Sequence, residues 1–222
     1  MGSVKIQRKR KGREKFNTKK KERQGKIVIL PQRKRYKGPL GEFEFSTEEF
    51  EVTYKDTPFG WLEVLLYRGT ETEGYKIHIP EGVVNCSYMF EGTMLQTPPV
   101  IPVGVRNVNY MFANCVSLKR GALLPDGVTT ASFLYQGDRS LESSPALPNT
   151  LENGSYLFDG CTHLLEPPRI GSRLKNVTGM FRNCFRLQQE AVFPDGVRAE
   201  HAYRGCKTLQ DEDWDFRDEM DL

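Results

Sequence analysis

The sequence predicts an α/β repeat solenoid, because one motif recurs six times between residues 80 and 210. An aromatic anchor returns at spacings of 22, 23, 23, 23 and 22 residues, at Phe90, Phe112, Tyr135, Phe158, Phe181 and Tyr203. Gly or Asn always stands two positions after the anchor, and Leu stands six positions after five of the six anchors. Chains with such a period bury their core by stacking units, so we expect function on surfaces rather than in one catalytic pocket.

The column two residues after the anchor predicts a left-handed turn in every unit. It is occupied only by Gly92, Asn114, Gly137, Gly160, Asn183 and Gly205. A position restricted to Gly and Asn fits a left-handed residue that ends a short helical turn, where any Cβ costs energy. The next residue is Cys in four units, Thr93 in the first and Asp138 in the third. Anchor, small residue and Leu therefore follow one another at three-residue steps and form one inward stripe per unit.

Each unit is predicted to open with a turn and to end in a short strand. Pro-x-Gly-Val opens four units, at residues 80–83, 102–105, 125–128 and 194–197. Asn stands five residues before the anchor in four units, at positions 85, 107, 153 and 176, and we expect these side chains to form a ladder that satisfies backbone groups between coils. Prolines at 98, 99, 145, 167 and 168 remove hydrogen-bond donors, so the strands after the Leu column are short or irregular.

These columns resemble the BspA-like leucine-rich repeats, whose units read roughly Pro-x-x-Val, a spacer, Ala or Met before Phe, then x-x-Cys-x-x-Leu. Residues 107–112 and 176–181 are also similar to a variant of that repeat in bacterial surface proteins. The resemblance covers about residues 80–210 and implies six leucine-rich-repeat units of 22–23 residues that act as a binding scaffold. It implies little about activity, because such repeats are scaffolds and a fold does not fix a function.

The first 37 residues form a strongly basic arm. They hold 16 Lys and Arg against two acids, a net charge of +14, whereas residues 38–222 hold 16 basic and 27 acidic residues, a net charge of −11. A segment of this composition buries too little apolar surface to fold alone, so we expect it to be disordered or docked on a partner. Three hypotheses remain open: a nucleic-acid-binding arm, a localisation signal or solubilising tail, and an arm that docks on an acidic protein surface, including that of a neighbouring copy.

The nucleic-acid hypothesis assigns phosphate contacts to fourteen cations of the arm. They are Arg8, Lys9, Arg10, Lys11, Arg13, Lys15, Lys19, Lys20, Lys21, Arg23, Arg33, Lys34, Arg35 and Lys37. Glutamines and aromatic residues lie among them, which suits occasional base stacking, but no defined RNA or DNA motif is present. RNA and DNA are therefore equally compatible with the arm.

The segments that flank the repeats are predicted to be caps. Residues 38–79 contain alternating apolar and polar positions with turns near Pro58 and between Gly69 and Gly74, which predicts three or four strands, the last over residues 75–79, in a small β cap. Residues 211–222 are acidic around Trp214 and Phe216, and we expect them to cover the last unit. The spacing of acids there suggests a calcium loop, but Phe216 stands where the loop needs Gly.

Chemistry-bearing motifs are absent from the sequence. The five cysteines follow the repeat and never form Cys-x-x-Cys, so we expect a reduced inward column and no metal. No nucleophile motif, phosphate loop, cofactor motif, membrane span or signal-peptide core is found. The sequence thus predicts a non-enzymatic scaffold or interaction protein, intracellular or in a virion, which the basic arm anchors in a ribonucleoprotein or other nucleic-acid-containing assembly. The repeats would contact a protein partner and permit homo-oligomers; the alternative is a surface adhesin or host-interaction protein.

Overall fold

The structure, a computed structural model, describes residues 21–23, 26–28, 32–58 and 60–209, the first two segments by their backbone alone. The strands in these ranges form three antiparallel two-stranded sheets. The pairs are β1 (Lys21–Arg23) with β2 (Lys26–Val28), β3 (Arg33–Gly38) with β4 (Gly41–Ser46), and β5 (Phe50–Thr57) with β6 (Gly60–Tyr67). One 3₁₀ turn, Gly74–Lys76, follows them. Residues 21–23 and 26–28 of the basic arm are therefore β-strands.

The predicted α/β leucine-rich-repeat solenoid is wrong. The described residues contain no α-helix, and every strand of more than one residue lies before residue 68. Residues 80–209, which we term the repeat stack, contain turns and isolated single-residue bridges and no continuous sheet. The strand predicted over residues 75–79 is also absent, because residues 74–76 form the 3₁₀ turn.

Two columns of left-handed residues explain why neither helix nor strand forms in the repeat stack. The predicted column is confirmed: Gly92, Asn114, Gly137, Gly160, Asn183 and Gly205 all have φ between 60° and 78°. A second column, two residues before the anchor, was not predicted; its φ values lie between 54° and 63° at Tyr88, Tyr110, Phe133, Tyr156, Gly179 and His201. Each unit therefore has two left-handed residues four positions apart around its anchor, and these end any helix or strand there after a few residues.

Units of the repeat stack are held together by backbone hydrogen bonds and by buried columns. Phe158 N–H, for example, donates to Met180 O at 2.8 Å in the following unit. The anchor rings stack with centroids 5.4–5.7 Å apart from Phe90 to Tyr203. Behind them lie the buried thiols of Cys161, Cys184 and Cys206. Each thiol donates to the carbonyl oxygen of the anchor in the previous unit (Tyr135, Phe158 and Phe181 respectively), at 3.0–3.1 Å. Equivalent backbone and side-chain groups of successive units therefore stack on one another.

The predicted asparagine ladder does not form. Asn85, Asn107, Asn153 and Asn176 each accept a hydrogen bond through Oδ1 from the backbone N–H two residues ahead in their own unit, at 2.9–3.1 Å. These are Asx turns that shape one unit. Contact between units at this column is a parallel bridge of backbone groups instead, as between Asn153 and Asn176.

Two of the hairpins cover the first unit. Tyr67, at the end of β6, donates its N–H to Met89 O at 2.8 Å and packs its ring on Phe90. Leu40, in the β3–β4 turn, accepts a hydrogen bond from Val84 N–H at 2.8 Å. The β3 strand spans the predicted boundary at residue 37, so the last residues of the basic arm belong to the folded part of the chain. The predicted acidic segment 211–222 lies outside the described residues.

A substitution at Gly160 separates conformational strain from packing. An added Cβ would lie 3.6 Å from Gly137, which is ordinary contact, so only the φ of 76° opposes a side chain. Gly160→Val should lower the free energy of unfolding by roughly 1 kcal/mol or more, because a β-branched residue is disfavoured there. Gly160→Asn should have a mild effect, because Asn114 and Asn183 occupy this column with φ near 60°. Equal losses in urea unfolding for both variants would contradict the assignment.

Candidate functional site

The predicted nucleic-acid site is described only in part. Its first eight cations, from Arg8 to Lys20, lie outside the described residues, and Lys21 and Arg23 are described only as backbone of β1. The remaining four, Arg33, Lys34, Arg35 and Lys37, lie on β3 and are exposed. The structure therefore assesses the predicted site only at its last four residues.

Those four cations differ in their partners. Arg35 pairs with Glu44 at 2.8 Å and Lys37 with Glu42 at 3.0 Å, both across the β3–β4 hairpin. The hydrogen bond to Glu44 and its charge raise the pKa of Arg35. Arg33 and Lys34 have no ion pair with any described residue. Because exposed pairs of this kind are weak and screened by salt, Arg35 and Lys37 remain available to a stronger anion.

A different surface has the geometry of a binding site. A groove of about 460 Å³ runs between the tip of the β5–β6 hairpin and four repeat units. The hairpin contributes Thr57, Gly60, Trp61 and Leu62. The units contribute residues that lie just before the anchor. In the second unit these are the residue of the parallel bridge, Asn107, a polar residue, Asn109, and the left-handed aromatic residue, Tyr110. None of the thirteen described residues that line the groove is charged, although 27% of the chain is.

The groove floor is rich in hydrogen-bond donors. The Asx turns use Oδ1 of Asn107 and Asn153, and Asn109 Oδ1 accepts from Ser132 N–H at 2.7 Å and Thr130 Oγ1 at 2.8 Å. Each Nδ2 group is then left without a partner among the described residues. An asparagine amide carries two donors at Nδ2, so the asparagines that line the groove carry several neutral donors.

The left-handed aromatic side chains form a second stack, at the edge of the groove. Tyr88, Tyr110, Phe133 and Tyr156 lie 4.6–4.8 Å apart between centroids with planes within 7° of parallel. Lys55 lies over the first ring at 4.8 Å and Arg182 over the last at 5.0 Å, so cations cap both ends. The stacked rings cover one another's faces, which leaves their edges for solvent or a ligand.

The stacked rings have no free face for a ligand, whereas the indole ring of Trp61 is exposed. It lies in β6 with 74% of its surface exposed, and it lines the groove. Trp61 lies within residues 38–79, where the sequence predicted a β cap, and the sequence did not indicate a function for it. The recurring Ser, Asn and aromatic positions before each anchor were visible in the sequence, but only the fold places them beside this hairpin.

The most strongly perturbed acid in the described chain lies elsewhere, inside the repeat stack. Asp138 occupies the position that is Cys in four units and has no exposed surface. Its Oδ1 accepts from Cys115 N–H at 2.7 Å, while Oδ2 has no partner among the described residues. Burial raises the pKa of Asp138 to about 9, so the carboxyl is neutral at pH 7. A perturbed acid often indicates an active site, but this one is closed to substrate.

The described residues show no other reactive centre. The five cysteines are free and buried, and burial raises the pKa of Cys115 to about 12 and of Cys206 to about 11, which disfavours the reactive thiolate. Within the ranges that the structure describes, no group of three or more His, Cys, Asp or Glu could hold a metal ion. No helix in those ranges is long and apolar enough to cross a bilayer.

Comparison with known proteins gives no relative for this chain. No family model matches it, and neither a curated protein nor a solved structure matches it significantly. The resemblance to BspA-like repeats therefore stays a prediction from the residues.

Replacement of Asp138 tests its protonation. The acid ionises near 3.8 when unfolded and near 9 when folded, so the free energy of unfolding falls as pH rises from about 4 toward 9. Asp138→Asn keeps an oxygen that accepts from Cys115 N–H, and it removes the ionisation of residue 138 that favours the unfolded state as pH rises. We expect it to raise the free energy of unfolding at pH 7 by on the order of 2 kcal/mol, and by less as pH approaches 4.

Urea unfolding at pH 4.5, 6 and 7.5 measures this effect. Asp126→Asn is the control, because Asp126 is an exposed carboxylate in the same repeat stack. A gain for Asp138→Asn that does not depend on pH would show that the Asp138 carboxyl is ionised in the folded protein.

Proposed function

We propose that this chain is a non-enzymatic interaction protein that binds an uncharged oligosaccharide in the groove beside Trp61. The observation that carries the proposal is the combination of one exposed indole with a floor of neutral amide and hydroxyl groups. Sugars present hydroxyl groups around the ring edge and C–H groups on the ring faces. Such a ligand needs hydrogen bonds from the side and an aromatic face from above, and the groove supplies both.

Charge argues against two other ligands for the same groove. Nucleic acid needs Lys or Arg beside its phosphates, and the described lining contains neither. An acidic peptide would need the same cations. A glycan needs no charge, and the amide donors of Asn107 and Asn109 in the second unit and of Asn153 in the fourth are spread along the groove. A chain of sugar units therefore fits better than a single compact ligand.

Substitution of Trp61 tests the oligosaccharide proposal. In a screen of immobilised neutral oligosaccharides we expect the full chain to bind at least one, and Trp61→Ala to weaken that binding about 5- to 140-fold, because loss of an aromatic stacking face removes about 1–3 kcal/mol. Calorimetry of the selected sugar gives the dissociation constant for both proteins.

Tyr54→Ala provides the matched control. Tyr54 lies on β5 of the same hairpin with 62% of its surface exposed, but it does not line the groove. The Tyr54→Ala variant should bind the selected sugar with the same dissociation constant as the parent chain. Binding that is reduced equally by both variants would indicate damage to the hairpin, and a screen without any neutral sugar ligand would reject the proposal.

A second candidate function, nucleic-acid binding through residues 1–37, is favoured by the charge separation along the chain. The arm carries +14 and the rest −11, so the arm is the part that attracts a polyanion. The exposed Arg33 and Lys34 extend this basic surface onto β3. This function would anchor the protein in a nucleic-acid-containing assembly such as a ribonucleoprotein or virion, whereas oligosaccharide binding suits the adhesin or host-interaction class. Docking on an acidic protein remains the competing role for the arm.

Salt dependence tests the second candidate. If the arm makes about six phosphate contacts, affinity for a double-stranded DNA oligonucleotide should fall about a thousandfold between roughly 50 and 200 mM salt. Replacing the eight cations from Arg8 to Lys20 by Gln should abolish binding and leave the repeat stack folded. Arg35→Gln with Lys37→Gln, which removes cations paired with Glu44 and Glu42, should have a much smaller effect. Binding that neither weakens with salt nor is lost when the eight cations are replaced would exclude the arm as the nucleic-acid-binding site.

A further inference from the structure

Backbone hydrogen bonds also join successive units just after the Leu column, and one of these bonds is missing. At the other described junctions, the residue after the Leu donates its N–H to the equivalent carbonyl oxygen of the preceding unit or cap at 2.9–3.5 Å, as Gln96 does to Thr72, Glu142 to Lys119, Leu165 to Glu142 and Gln188 to Leu165. Lys119 N–H instead donates to no described residue, and Gln96 O accepts from none. The first and second units are therefore not paired at this column.

A difference in length distinguishes these two units. Leu95 follows its anchor Phe90 by five positions, whereas Leu118 follows its anchor Phe112 by six. The second unit therefore has one more residue between anchor and Leu than the first, and Ser117 has no counterpart there. Because an extra residue on one of two paired segments disrupts their pairing locally, the bond between the two units is lost at this point.

The space between the two units is a pocket of about 620 Å³. Its described lining comes from the first three units and includes Ser117, Lys119, Arg120 and Ser140. This lining contains no acid, and it shares no residue with the groove beside Trp61. A concave site of this size is typical of small-molecule ligands.

The two cations of the pocket are available to a ligand. Lys119 and Arg120 are exposed, and neither forms an ion pair with a described residue. Two acids contact the lining through other groups. Glu142 donates its N–H to Lys119 O, and the carboxylate of Glu73 accepts from Thr97 Oγ1 at 3.0 Å. Both cations stay unpaired, so the lining carries two positive charges.

The other unpartnered groups of the pocket suit an oxyanion. Lys119 N–H has no described partner, and the hydroxyl groups of Ser117 and Ser140 have none either. The guanidinium of Arg120 can bind two oxygens of one phosphate in parallel, and the ammonium of Lys119 can pair with a third. A phosphate monoester is a dianion and matches the two cations, whereas a phosphodiester carries one charge. The pocket therefore favours a monoester.

We propose that this pocket binds a small molecule that carries a phosphate monoester. Lys119 and Arg120 pair with its negative charges, and Lys119 N–H and the hydroxyl groups of Ser117 and Ser140 donate to its oxygens. Gln96 and Pro98, which the first unit contributes to the lining, contact the rest of the molecule. This site is independent of both the oligosaccharide groove and the basic arm.

NMR titration of the full chain with glycerol phosphate tests the proposal. The backbone amide signals of Ser117, Lys119 and Arg120 should shift and saturate, and this local readout separates the pocket from anion binding by the arm. Lys119→Gln with Arg120→Gln should raise the dissociation constant at least about tenfold, because two charge-assisted contacts are lost. Dimethyl phosphate, a singly charged diester, should bind at least about tenfold more weakly than glycerol phosphate.

Arg169→Gln with Arg186→Gln is the matched control for net charge. Both arginines are exposed cations of the repeat stack, and neither lines the pocket. This variant should bind glycerol phosphate with the dissociation constant of the parent chain. Pocket amides that do not shift in the parent chain would overturn the proposal. Equal losses of affinity in the two double variants, or equal affinity for the diester, would also overturn it.

A one-residue insertion tests the origin of the pocket. A serine inserted between Met94 and Leu95 gives the first unit the length of the second and should restore the bond from Lys119 N–H to Gln96 O. The Lys119 amide should then exchange with solvent at least about tenfold more slowly, and glycerol phosphate should no longer bind although both cations remain. An insertion variant with slow Lys119 exchange that binds as tightly as the parent chain would contradict the proposed site.

Discussion

A pair of left-handed residues, two positions before and two positions after each anchor, is the constraint on which the repeat stack depends. It turns four N–H groups to one side and four carbonyl groups to the other, so each unit is complementary to its neighbours. Bulky residues such as Tyr88 and Tyr110 adopt φ near 60° in spite of the steric cost. The hydrogen bonds and ring contacts of the neighbouring units offset that cost, and the conformation therefore recurs in six consecutive units.

Side-chain columns follow from this backbone. Because successive units have a nearly constant separation, side chains at equivalent positions contact one another. Planar aromatic rings stack well in this arrangement. The outer ring stack ends at Gly179, where an added Cβ would lie 2.4 Å from a ring atom of Tyr156. There Arg182 covers the last ring and pairs with the buried Asp159 at 2.7 Å. Two units depart from Cys in the inner column, with Thr93 and Asp138, and Asp138 introduces a buried carboxyl at this position.

Different parts of the molecule offer different kinds of recognition. The groove beside Trp61 is neutral and donor-rich, whereas the N-terminal arm is strongly cationic. The groove exists because the β5–β6 hairpin, which covers the first unit through Tyr67, extends its tip over the following units. The arm merges into the fold at β3, where Lys37 and Arg35 form exposed ion pairs with Glu42 and Glu44. Neutral ligands and polyanions would therefore be bound at separate places.

The sequence by itself determined the period, the inward columns and one of the two left-handed positions, since a column limited to Gly and Asn is typical of residues with positive φ. It did not reveal the left-handed aromatic column, because residues such as Tyr88 disfavour that conformation and only contacts with adjacent units enforce it. For the same reason the α/β elements predicted in the repeat units were wrong. The groove, too, was decided by tertiary structure: Trp61 and Asn153 lie 92 residues apart in the chain, and no local pattern encodes the packing of a hairpin against the fourth unit.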